Sequence, residues 1–161
     1  MKSIIKYALL LSIAFTSVAC DADSDQVQDP NRTEHVSYAT MRGNWMLTQI
    51  NGEDVPEASF LYMTLSRKEE LQWFEIYDNM NSSFAFKMEG VYILTHNILE
   101  DKTTVFGHYE NQLGEVWNSS YEVSSLTETT MEWIKEDTKE VHTYTKVSEI
   151  PEEVLTGKKS I

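Results

Sequence analysis

The chain holds many side chains capable of chemistry, and few are spaced to perform it. Four histidines, His35, His96, His108 and His142, are scattered. No two share the i, i+2 or i, i+4 spacing that sets a metal-binding pair on one side of a strand or helix. Acidic pairs recur at Glu69-Glu70, Glu136-Asp137 and Glu152-Glu153, in polar stretches where both carboxylates stay hydrated. General acid–base catalysis asks for one carboxyl in an apolar pocket. Glu75 and Glu132 have aromatic neighbours, but strand alternation turns each of them toward solvent. Asp21, Asp23 and Asp25 match the first ligand positions of a calcium loop. Gln26 then stands where that loop needs Gly, and Arg32 where it needs Glu. The chain has no Gly-x-Ser-x-Gly, no His-Glu-x-x-His and no phosphate loop. The reading is therefore a protein without catalytic residues, metal or cofactor.

The one cysteine, Cys20, rules out an internal disulfide, and its position carries more than its number. Lys2 and Lys6 precede an apolar run, Tyr7–Val18, closed by Ala19. A short basic start, about a dozen apolar residues and a small residue describe a secretory signal over residues 1–19. The run is shorter than the ~20 residues a membrane-spanning helix needs. Ser17-Val18-Ala19-Cys20 resembles the lipobox of bacterial lipoproteins, with Ser17 where that motif usually has Leu. The resemblance implies cleavage before Cys20 and lipid on its sulfur, a membrane attachment that two or three acyl chains make stable. Residues 20–39 then read as a disordered acidic tether. The run Asp21-Ala22-Asp23-Ser24-Asp25 resembles the surface-export signal of Bacteroides-type lipoproteins. The implied location is the bacterial cell envelope, on the outer membrane.

Charge narrows the partners. The chain carries 13 Lys and Arg against 26 Asp and Glu, a net −13, and loss of Lys2 and Lys6 with the signal leaves −15. That field repels nucleic acid and anionic headgroups, so no nucleic-acid partner is expected and attachment to a membrane needs the lipid on Cys20.

Beyond about Val36 the pattern has period two. Trp45, Leu47 and Ile50 follow Gly43 on a first strand closed by Asn51-Gly52. Phe60–Leu65, Leu71–Tyr77, Phe84–Glu89, Val91–His96, Thr103–Tyr109, Glu115–Val123, Thr130–Lys135 and Val141–Val147 follow, separated by turn residues. All three prolines lie outside these runs. Gly107 sits inside one and suggests a bend or bulge. Eight or nine antiparallel neighbours most simply close into an up-and-down β-barrel. The predicted fold is all-β: a barrel of about eight strands over residues 40–155, a short helical turn near Ile150–Leu155, and a tail at 156–161.

Gly43-Asn44-Trp45 looks like the Gly-x-Trp opening of lipocalins. More of the chain is similar to small lipocalin-like lipoproteins of Bacteroides-type bacteria. The pieces are Arg67-Lys68-Glu69 before Trp73–Tyr77, Gly107–Tyr109, Trp117 with Tyr121-Glu122-Val123, Met131-Glu132-Trp133, and Tyr144-Thr145-Lys146 with Ile150-Pro151-Glu152-Glu153. In lipocalins the first-strand Trp packs under an Arg near the barrel's end. Arg67 is the last arginine here, which leaves Lys146 as the substitute to close the barrel with Gly43 and Trp45. The resemblance implies a lipid-anchored envelope protein with an unassigned ligand. Tyr62, Trp73, Phe86, Tyr92, Phe106, Trp117 and Trp133 are the candidates to line an interior that takes a small apolar or amphipathic molecule. The rival reading is a filled barrel whose outside docks an envelope protein or a glycan, marked by an exposed Trp73 or Trp117. If the lipobox reading holds, metabolic labelling with a fatty acid marks the mature chain. An unlabelled mature chain would remove the anchor.

Overall fold

The computed structural model describes residues 32–80, 84–110 and 116–157. The leader, Cys20 and the acidic stretch after it lie outside the described residues.

Nine strands and one short helix are found among the described residues: β1 (Gly43–Ile50), β2 (Glu53–Asp54), β3 (Leu61–Lys68), β4 (Leu71–Asp78), β5 (Phe86–Asn97), β6 (Lys102–Tyr109), β7 (Tyr121–Ser124), β8 (Thr130–Lys135), β9 (Val141–Val147) and α1 (Glu152–Leu155). Every pairing is antiparallel, and β9 returns to pair with β1. The result is a closed eight-stranded barrel with the two-residue β2 added beside the end of β1. The turn into β2 is Asn51-Gly52, with φ of 52° and 79°, the left-handed pair that suits a two-residue hairpin.

Alternation sorts the side chains. Trp45 and Leu47 of β1, Met63 and Leu65 of β3, Phe74 of β4, Tyr92 of β5, Val105 of β6, Val123 of β7, Met131 and Trp133 of β8 and Tyr144 of β9 are buried in one cluster. Of the two barrel ends, one is closed by the segment before β1. Met41 is fully buried there, the Trp45 indole donates to the Met41 carbonyl at 2.8 Å, and the Leu94 N–H donates to the Tyr38 hydroxyl at 2.9 Å. Glu34 N–H donates to the Leu126 carbonyl in the β7–β8 turn at 2.7 Å.

The seam of the barrel is built around Trp45. It pairs with Met63 on one side and Lys146 on the other. The Lys146 ammonium lies 5.1 Å from its ring centroid. Gly43, at φ +139°, leaves space for this lysine, since a Cβ there would sit 2.8 Å from Lys146 Cε.

A second apolar cluster lies outside the barrel. Phe60, Tyr62 and Tyr77 are covered by Ile150 and Val154 of the C-terminal segment. It explains why α1 exists: Val154 is its one buried residue.

Three expectations need correction. The stretches 84–89 and 91–96 are one twelve-residue strand, because Gly90 keeps its place in both ladders, opposite Phe74 and Tyr109. Of the described residues in 115–123, only 121–123 are in a strand, β7, although Val116 forms a bridge to His108. Gly107 makes no bulge; the irregularity is in β1 between Leu47 and Gln49.

If the seam depends on packing more than on the cation, Trp45→Ala lowers unfolding free energy by ~3–5 kcal/mol and Lys146→Gln by only ~0.5–2 kcal/mol. Urea melts of the two variants check this ordering.

Candidate functional site

At the end opposite the plug, β3, β4, β5, β6, β7, β8 and β9 all start or finish. Their last inward-facing residues surround a cavity of about 190 Å³. Leu61, Ile76 and Met88 form its aliphatic side. Trp117, Tyr121, Trp133 and Tyr144 form its aromatic side, and Tyr109 and Asn118 also line it. Asp78, Lys135 and His142 supply charge at the rim.

The rings brace one another. Trp133 lies 5.2 Å from Tyr144, 5.6 Å from Tyr121 and 5.8 Å from Trp117, centroid to centroid. Phe74, in the core below Ile76, stands edge-on to Trp117 at 5.1 Å. Trp117 comes from the β6–β7 connection and reaches its place through Gly107. Its backbone N–H donates to the Gly107 carbonyl at 2.9 Å, and its indole lies where a Gly107 side chain would be, since a Cβ there would overlap the ring. The glycine that the sequence marks as a bulge is instead the bed for an indole.

The charged groups differ in their partners. His142 Nε2 is 2.6 Å from Glu140 Oε1, and Lys135 Nζ is 3.7 Å from Asp137 Oδ1. Asp78 accepts the Met80 N–H at 2.6 Å, and no cationic side chain among the described residues is within ion-pairing distance of it. Burial pushes the Asp78 carboxyl above its usual range, an effect the Met80 N–H opposes. Burial also raises the Tyr121 phenol, followed by Tyr109. Tyr144 is raised furthest, by burial first and then by the charges of Tyr121 and Asp78. Both phenols stay neutral donors at physiological pH.

Of the seven candidates from sequence, the structure brings Trp117 and Trp133 together at the cavity. Tyr92 faces inward but packs on Tyr38 at 5.6 Å, toward the plugged end. Phe86 falls in the inward register, opposite Asp78, yet is 55% exposed at the rim. Tyr62, Trp73 and Phe106 point outward and do not line the interior. Tyr62 belongs to the cluster under α1, Trp73 is covered by the Lys68 ammonium at 4.2 Å, and Phe106 meets His108 edge-on at 5.2 Å. Glu75 also faces outward, where Lys87 Nζ is 3.1 Å away.

Sequence reasoning passed over Asp78, Lys135, His142 and Tyr144 as site residues. The signal for three of them was in the alternation, because Trp133 and Lys135 share a face, as do His142 and Tyr144. For Asp78 the signal was masked. Trp73 and Tyr77 make the outer parity of β4 look like the core one.

No group of three or more possible metal ligands is found among the described residues. No protein-family model, no curated protein and no solved structure matches the chain.

Gly107→Val forces the Trp117 ring off its bed. Fluorescence emission of the variant should shift to the red as an indole gains solvent, with a stability loss of ~1–3 kcal/mol from overpacking.

Proposed function

We propose that this chain is a lipid-anchored binding protein of a bacterial cell envelope, resembling the lipocalin-like lipoproteins, and that its barrel holds one small amphipathic molecule. It acts by binding, without a catalytic step. The observation that carries the binding role is the cavity of about 190 Å³ with aromatic walls and a charged rim. A closed barrel of about eight strands is either filled by side chains or holds one small ligand, and this one is filled at one end only.

Size narrows the ligand. A cavity of roughly 150 Å³ admits benzene, so this one suits a body of about one ring with a short polar branch. A long acyl chain does not fit. The membrane attachment through Cys20 rests on the sequence of the first twenty residues. The described chain enters the barrel at its plugged end.

A docking role keeps one observation in its favour. Leu71, Ile93 and Val116 are exposed on the outer face of β4, β5 and the bridge beside β6. Trp73 and Trp117, the residues expected to mark such a surface, are both buried.

Titrating the detergent-solubilised full chain with benzyl alcohol should quench tryptophan fluorescence saturably and give a one-to-one adduct by native mass spectrometry. Decanoate should do neither. Saturable binding of decanoate, with benzyl alcohol silent, would overturn this reading of the cavity.

A further inference from the structure

The cavity wall carries one charge that no cation among the described residues answers. His142 has Glu140 at 2.6 Å and Lys135 has Asp137 at 3.7 Å. Asp78, on the opposite arc of the rim at the end of β4, has among the described residues a backbone N–H on Oδ1 and no cation. The Asp78 carboxylate is near enough to Tyr144 for its charge to help raise that buried phenol, so its field reaches into the aromatic side of the cavity. A half-buried carboxylate without a cation is costly, and three or four ring faces nearby attract positive charge through their quadrupoles. The acids Asp78, Asp137 and Glu140 together outweigh Lys135 and His142 at this rim, and the chain as a whole is strongly acidic, which draws cations in and keeps anions out.

We infer that the cavity takes a small primary or substituted amine in its cationic form, carried on a single ring or an equally compact apolar body, with Asp78 as its counter-ion and Trp117, Trp133 and Tyr144 as its walls. The inference rests on the reading of the barrel as a small-ligand binder and names the chemical class of that ligand. Charge at the rim and rings below it set the orientation: ammonium toward Asp78, apolar body toward Phe74.

The test uses three probes of one size on the full chain in detergent: benzylamine, protonated at neutral pH, its neutral isostere benzyl alcohol, and the anion benzoate. Benzylamine should bind most tightly and benzoate least. Asp78→Asn keeps an oxygen to accept the Met80 N–H, so the loop is preserved while the charge is lost. In that variant benzylamine should weaken by about ten- to hundredfold, while benzyl alcohol changes by less than about twofold. Equal binding of benzylamine and benzyl alcohol, or benzylamine binding unaltered by Asp78→Asn, would overturn the amine assignment and leave the small-ligand reading standing. Tighter binding of benzoate would overturn it in favour of an anion held by Lys135. If none of the three binds, the small-ligand reading falls and the amine goes with it.

Discussion

β1 hydrogen-bonds on both sides, to β3 through Gly43–Met46 and to β9 along nearly its whole length. That double pairing turns a meander into a barrel and removes the exposed edges on which strands of other chains would add. It also fixes the interior. Once β9 meets β1, the inward parity of the strands is set, changing within β1 where the inward set passes from Trp45 and Leu47 to Ile50, and a slip of one residue would turn a core set outward. The irregularity between Leu47 and Gln49 absorbs the mismatch at the seam. Trp45, buried between Met63 and Lys146, is the side chain most exposed to loss if the seam opens, because its contacts come from both partners of β1.

Closure leaves two ends, and the chain treats them differently. At one end the segment from Glu34 to Met41 folds over the opening and is tied by backbone and side-chain hydrogen bonds. At the other, stiff rings stand around the lumen. Gly107 lets Trp117 lie flat against the wall, and the rings of Trp133, Tyr121 and Tyr144 hold one another upright. Aromatic side chains have few rotamers with which to collapse into a void, so the space between them persists. This arrangement has a cost: the indole N–H groups of Trp117 and Trp133 are buried without partners among the described residues, at ~1–3 kcal/mol each.

Period two made most of the barrel legible before any coordinates. β8 and β9 have the predicted bounds, Thr130–Lys135 and Val141–Val147, and the Asn51-Gly52 turn lies where its residue types put it. Composition was a poorer guide to facing. The barrel has apolar clusters on both sides of its wall, so an aromatic residue on a strand does not announce its side. Tyr62 and Tyr77, outside the wall and under the C-terminal segment, are 8% exposed, close to the 0–5% of the main core cluster. The cavity was illegible for a different reason: a void is the absence of side chains, and it depends on Phe74 in the core below Ile76 and a glycine under Trp117 that come from different strands. Gly107 was visible, but its purpose was not, since the ring that needs it is ten residues away in sequence.

Volume, more than anchoring, limits what the proposed binding role can admit. Under the proposed anchoring, the chain between Cys20 and Glu34 spans at most ~50 Å, and the described chain enters the barrel at the plugged end. β5, with twelve residues, sets a barrel length of a few tens of ångströms at ~3.3 Å per residue. A tether with that reach lets the mouth face either water or the bilayer, so the route of entry does not select the proposed ligand. The cavity does: about 190 Å³ has room for one ring's worth of solute and none for a long chain, and a carboxylate above a set of aromatic faces can distinguish among the small molecules that fit.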